Sequence, residues 1–406
     1  MKAVIMTAPA MDGSTTSVAG FDEPQPGPGQ VAIDVAYAGV NFIDVMARRG
    51  DPGYASAWPY VPGLEVAGTI RSVGSGVRDL HVGERVAALT PGGGMAEVAI
   101  AAADVTVAVP PDVPLETAAS APLVVSTALL LLTDRARIRP GESVLMHSAS
   151  GGIGSVVSQV AAALGSGRRI GTVGRPGKIA AALAAGWDEV FAREDGLAEA
   201  VRKVVPEGVD VILDPVGTAL LDFDLSIAAP GGRVLLFGNA AGGAQPPLPS
   251  AGRLIGGNVG VLGFSMSRLS ATAPKAVASA LAKGLQMIAA AQIQPEITIV
   301  EPLESVAAIH DLLAAAAAAA STSPRCTADP SLLLRPIGPA RAVAVARRER
   351  VPGLHRGRHQ APGVQPDPIH GSQRRLACRQ QNTQTAEPDP AICAQRPTAP
   401  ARFPPA

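Results

Sequence analysis

Ser148-Ala149-Ser150-Gly151-Gly152-Ile153-Gly154-Ser155 is the stretch whose residue types and spacing say most about chemistry. A strand-like run, Glu142 to Met146, precedes it, and a helix-like run, Val156 to Leu164, follows. Strand, glycine turn and helix in that order predict a phosphate-binding device. Glycine lets the backbone approach a pyrophosphate, and the free N–H groups of a helix start point at its charge. A plain tight turn would use the same glycines. The flanking elements and the strand that follows favour a dinucleotide site.

The next strand bears on which dinucleotide. Roughly 20 residues past the glycines, such folds place the group that reads the adenosine ribose. Arg169 to Val173 reads as that strand, and Gly174, Arg175 and Lys178 follow it. A site for the unphosphorylated cofactor carries Asp or Glu there. Here two cations replace the carboxylate, so the sequence favours NADPH over NADH. Solvation of a helix start is the other use for these cations. They oppose the helix dipole, however, and an anionic ligand would remove the conflict.

Other reactive side chains form no constellation. Cys326, Cys378 and Cys393 all lie late in the chain, at spacings of neither a zinc site nor a disulfide framework. His81 is expected in a loop, His147 at a strand end and His310 in an alanine-rich helix. Each reads as structural, and no metal site is expected.

The elements that position the glycine turn follow from pattern. The chain has 406 residues, 47% of them hydrophobic, with a formal net charge of zero. That length allows two or three domains, and neutrality argues against a nucleic-acid binder. Residues 1–122 read as short strands between Gly and Pro turns: Met1–Met6, Val31–Ala38, Val66–Val73, one starting at Gly83 and Ala96–Ala101. This predicts a partly open β-barrel. Leu115 to Ala136 reads as a helix crossing to a second domain. Residues 123–262 alternate strand and helix, with strands at 142–146, 169–173, 189–191, 209–213, 233–237 and 258–263. Continuous apolar runs fit strands covered on both faces, which predicts an α/β protein with a doubly wound parallel sheet. Helices at about 273–291 and 303–320 return the chain to the first domain, so 263–336 joins 1–122. The seven alanines from Ala314 read as an extended helix end or a low-complexity insertion.

Residues 337–406 hold 11 arginines, four acidic residues and many prolines, with no sustained period of 2 or 3.6. Such a segment buries too little apolar surface to order itself and reads as a disordered Arg/Pro-rich tail. Passenger sequence from a GC-rich gene and a basic interaction tail are both compatible with it. No leader is expected, because Met1–Met6 reads as a strand. The apolar run Val124–Leu132 is far shorter than the ~20 residues that span a bilayer. A cytoplasmic protein is expected.

Several runs together resemble the medium-chain dehydrogenase/reductase superfamily, and within it the zinc-free quinone oxidoreductases. They are Gly39-Val40-Asn41-Phe42-Ile43-Asp44, Pro62 to Gly68, Val73 to Val77, Val82 to Val86, Ala149 to Gly154 with Gln159, Asp210 to Gly217, and Pro230 to Arg233. Their order covers about 1–336. The resemblance implies a GroES-like catalytic domain and a Rossmann domain. Zinc-dependent relatives place Cys where Asn41 stands and His where Leu64 stands, and carry a four-cysteine lobe missing here. Without a Lewis acid, substrates that accept hydride into a conjugated system fit best, namely a quinone or an enone.

By the same resemblance, Asn41 sits near the nicotinamide and Thr127 near the nicotinamide or its ribose. Gly151, Gly152 and Ile153 hold the pyrophosphate. Gly174, Arg175 and Lys178 surround the 2′-phosphate. Gly238 and Phe264 line the groove, and Arg325 joins from a closing segment. Asn41 and Asp44 are the candidate catalytic groups, with fixing of its loop as the alternative for Asp44. Met46 stands where relatives often have a tyrosine, Ala192 where an aromatic packs the adenine, and Ala162 where a cation is usual. An enoyl thioester reductase and a non-catalytic NADPH-binding protein are the rival readings. A homodimer paired through Asn258–Gly263 is expected.

Overall fold

The computed structural model describes residues 1–321, apart from Ser56 and Ala241, together with 342–346. Its first half is built from β1 (Lys2–Met6), β2 (Thr16–Gly20), β3 (Gln30–Val40), β4 (Glu65–Val73), β5 (Arg85–Leu89), β6 (Val98–Ala102) and β7 (Thr106–Ala108). β1 and β2 form an antiparallel pair. β3 pairs antiparallel with both β4 and β6, and β5 lies between β4 and β7. Register shifts at Ala32/Ile33 and Val35/Tyr37 bend β3 around the core, as bulges do. At the bend, a Cβ on Gly68 would lie 2.0 Å from the Asp34 carbonyl oxygen, so the strands close only over glycine. Val4, Val31, Ile33, Ile70, Val86 and Met95 fill the space enclosed.

The second half is a six-stranded parallel sheet: β8 (Val144–His147), β9 (Arg169–Val173), β10 (Glu189–Ala192), β11 (Val209–Asp214), β12 (Ala228–Leu236) and β13 (Gly260–Gly263). Their spatial order is β10-β9-β8-β11-β12-β13. Counted from β8, that is the 3-2-1-4-5-6 order of a doubly wound fold, reversing between β8 and β11. Alternation within each strand explains why both faces are apolar. Leu145, Ile170, Ile212 and Val234 pack with Val201, Leu221 and Ile227 from the helices of one face. Val144, Met146, Leu213 and Leu235 pack on the other with Val156, Val157 and Val160 of the helix Gly152–Ala163.

The crossing segment differs from a single regular helix. Leu115–Ala118 and Ser126–Leu129 are α-helical, while Ala121–Val125 and Leu130–Arg135 are wider π turns. Pro122 has no N–H to give to a regular helix. The helix Pro274–Ala289 lies against the first π turn so closely that a Cβ on Gly284 would stand 2.7 Å from Val125 Cγ1. Gln159 ties the glycine-turn helix to the returning chain, accepting from the Gln294 N–H at 2.7 Å.

β14 (Ile297–Val300) then leads to the helix Val306–Ser321, which carries the alanine run as a continuous helix end. One element corrects the sequence reading of 337–406 as lacking regular structure. Ala342–Ala346 forms β15, parallel to β14 and antiparallel to Val40–Tyr37 of β3. The cause is Ala-Val-Ala-Val-Ala, a period of 2 over only five residues, completed by pairing to two strands at once. The remainder of 337–406 lies outside the described residues, as does Arg325.

Candidate functional site

The sequence candidates of the second half gather at the carboxyl ends of its strands, where open parallel sheets bind ligands. Ser148 to Ile153 follow β8, Gly174 to Lys178 follow β9, Gly238 follows β12 and Phe264 follows β13. The turn after β8 is built for close approach. A Cβ on Gly154 would stand 2.5 Å from the Ala149 carbonyl oxygen, so only glycine lets the helix pack against the strand end. Gly151 is the N-cap and offers no side-chain oxygen. The N–H groups of Gly152, Ile153 and Gly154 therefore open the helix without an intrahelical acceptor, an arrangement that suits an anion.

Three cations surround the end of β9. Arg175 is exposed and starts the turn Pro176–Lys178. Lys178 is half-buried, and its Nζ donates to the Ala316 carbonyl at 3.0 Å. Burial, then the charges of Arg175 and Arg193, hold its ammonium below the usual lysine range. Arg193, not singled out in the sequence, enters because its N–H donates to the Val173 carbonyl at 2.8 Å, placing it beside the end of β9. Its Nη1 is buried and has no hydrogen-bond partner. Three cations with an orphaned donor among them fit a phosphate group. The one available signal was its place directly after β10, next to Ala192.

A second group of candidates is organised around Glu65. This carboxylate is 1% exposed at the start of β4. Its Oε1 accepts from Asn41 Nδ2 at 2.7 Å, and its Oε2 accepts from the Leu123 N–H at 2.8 Å. Gly39 makes the room: a Cβ there would lie 2.2 Å from Glu65 Oε1. The link joins the barrel to the crossing segment, where Thr127 is buried one turn on. Leu123 and Phe264 pack against one shared cluster that includes Leu130, Met266 and Val277. Burial raises the Glu65 carboxyl to about 7, and nearby Asp44 adds to the rise. Glu65 lies within the Pro62 to Gly68 run, and nothing in the sequence marks it out, since its burial comes from the fold.

Asp44 is 2% exposed and faces backbone. It accepts from the N–H of Asn41 at 2.8 Å and of Gly63 at 3.2 Å. Burial raises it to about 7. These contacts fix the loop entering the helix Phe42–Arg49. Asn41 is the N-cap of that helix: its backbone carbonyl accepts from the Asp44 N–H at 3.0 Å, and Asp44 returns a carboxylate oxygen to its N–H. Met46, at the position of the expected tyrosine, is buried in the same helix. A Cβ on Gly238 would stand 2.5 Å from the Pro215 carbonyl oxygen, so this glycine serves close backbone packing just past the end of β12. His147 is fully buried, with Nδ1 2.6 Å from Thr172 Oγ1 and Nε2 2.7 Å from Asp224 Oδ1. His310 is likewise buried, and burial lowers it to about 3.

Leu64 has no donor atom, Asn41 is engaged by Glu65, and among the described residues no three His, Cys, Asp or Glu side chains group around a common point. No helix among the described residues is long and apolar enough to cross a membrane.

Comparison with known proteins places this geometry in context. Residues 27–111 match the alcohol dehydrogenase GroES-like domain, and residues 152–283 match the zinc-binding dehydrogenase domain. The quinone oxidoreductase of Sus scrofa is 33% identical over 291 residues, covering 71% of this chain and 86% of the relative. The synaptic vesicle membrane protein VAT-1 homolog of Danio rerio is 29% identical over 292 residues, covering 68% of this chain, which spans 60% of that relative's length. A mycobacterial protein solved in complex with NADPH superposes with a TM-score of 0.73 at 29% identity, covering 86% of this chain and all of that one.

Proposed function

Because the chain belongs to the medium-chain dehydrogenase/reductase superfamily, on its quinone oxidoreductase-like side, we propose that it is an NADPH-dependent oxidoreductase reducing a quinone or a conjugated enone without a metal. The observation that carries this reading is a glycine turn at the switch point of the parallel sheet, with three cations gathered at the end of the neighbouring β9. The NADPH complex of the mycobacterial relative supports the cofactor, and the pig relative's name supports the quinone.

When bound, NADPH supplies a hydride. The N–H groups of Gly152 and Ile153, with Gly151 ahead of them, would hold the pyrophosphate. Arg175, Lys178 and Arg193 would hold the 2′-phosphate beside Gly174, as charge-assisted donors. Gly238 and Phe264 would border the groove, and Asn41 and Thr127 would face the nicotinamide. Asp44 would act through the loop it fixes. With no polarising metal in this reading, orientation and exclusion of water carry the rate. The reading includes a homodimer closed through β13, whose outer edge has no strand partner among the described residues, and a cytoplasmic location.

Cofactor oxidation by a simple quinone, by a short enone and by a short enoyl thioester tests the reading. Faster turnover with the first two supports it. Preference for the thioester replaces it with an acyl-chain reductase. Tight NADPH binding without oxidation by any of them makes the chain a nucleotide-binding protein.

A further inference from the structure

Resting on the nicotinamide-end assignment above, we infer that Glu65 is a positioning residue that decides which end of the Asn41 amide is offered to the cofactor. An asparagine amide has a donor end and an acceptor end, and a neighbour fixes which way it turns. Glu65 as a carboxylate can only accept, so Asn41 turns Nδ2 toward it at 2.7 Å. Asn41 Oδ1, across the planar amide from Nδ2, is then turned away from Glu65, while the Asp44 N–H is taken by the Asn41 backbone carbonyl at 3.0 Å. An amide oxygen has two lone pairs, so Oδ1 keeps accepting capacity, and Asn41 is only half-buried. The ligand group this oxygen fits is a donor such as the carboxamide NH2 of a nicotinamide. It does not fit the carbonyl oxygen of a quinone or enone. Asn41 thus reads the cofactor and leaves the substrate oxygen alone.

Nothing around Glu65 lets it relax. Its second oxygen is held by the Leu123 N–H at 2.8 Å, a backbone donor that cannot reverse. Gly39 closes over its Oε1. Of the titratable groups on the elements packed against it (the helix Phe42–Arg49, β3, β5 and the turn Ala121–Val125), Asp44 is the one whose charge reaches it. Arg85 on β5 is turned to the Pro111 and Val113 carbonyls, and Asp34 on β3 to Arg71.

Glu65→Gln tests this by geometry. Its oxygen must face Leu123, so its NH2 faces Asn41, and the Asn41 amide must rotate to offer Oδ1 inward. A proton on Glu65 does the same. NADPH binding and 2′,5′-ADP binding are measured from pH 6 to pH 9, the second probe lacking the nicotinamide. Expected in the wild type is NADPH affinity that weakens as pH falls through about 7. Glu65→Gln should bind NADPH about tenfold more weakly at pH 8, the scale of one hydrogen bond, with a flat profile. Unchanged 2′,5′-ADP affinity in the variant shows that the fold is intact. Unaltered NADPH affinity, or a wild-type pH profile retained in the variant, overturns the inference. Failure of the wild type to bind either probe refutes the cofactor assignment instead.

Discussion

Replacing Asp44 with asparagine should change how stability depends on pH. The carboxyl is fully buried, accepts two backbone N–H groups and is raised from 3.8 to about 7. A raised acid reverses the common carboxylate pattern. Between the two values the folded chain keeps a proton that the unfolded chain has released, so stability falls as pH rises and levels off above about 7. From pH 5 to pH 8 the folded state is penalised over about two pH units, or about 3 kcal/mol at 1.36 kcal/mol per unit. The asparagine side chain has no such proton to release. It also places an NH2 against either the Asn41 or the Gly63 N–H, costing about 1–3 kcal/mol at every pH. Denaturant unfolding at pH 5 and pH 8 should therefore find Asp44→Asn less stable at pH 5 and closer to or above wild type at pH 8, a relative swing of about 3 kcal/mol. Equal losses of stability in the two proteins across that range would refute the burial argument.

Other outcomes follow from the same geometry. Gly39→Ala should displace Glu65, lower stability by about 1–3 kcal/mol and weaken NADPH binding, as unfolding and titration would register. Gly284→Ala pushes a methyl to 2.7 Å from Val125 Cγ1 and should cost a similar amount, leaving 2′,5′-ADP affinity unchanged. Arg175→Ala combined with Lys178→Ala should lower NADPH affinity at least tenfold while NADH affinity stays within about twofold, because only the phosphorylated nucleotide loses charge-assisted partners.

The sheet was legible because its strands are apolar on both faces and each ends at a glycine or charged turn. All six are legible, although β12 begins at Ala228, five residues before the apolar run at 233–237. Asn258 ends a helix in a left-handed conformation, so the last strand starts at Gly260 and not before. The crossing segment looked like one helix because apolar periodicity is blind to the extra residue a π turn admits. β15 escaped because five alternating residues in an Arg- and Pro-rich stretch gain their meaning only from β3 and β14. In the site, glycine spacing and the missing carboxylate after β9 point to the nucleotide end proposed above. Glu65 and Arg193 were not legible, since their roles arise from partners 24 residues away in one case and from a neighbouring strand's end in the other.

Equilibrium titration of the full chain with NADPH and with NADH tests most directly whether the adenosine end selects a phosphorylated ribose. Arg175, Lys178 and Arg193, with no carboxylate among them, predict binding of NADPH at least tenfold tighter, with the preference shrinking as salt is added. Equal affinities, or tighter binding of NADH, would contradict the account.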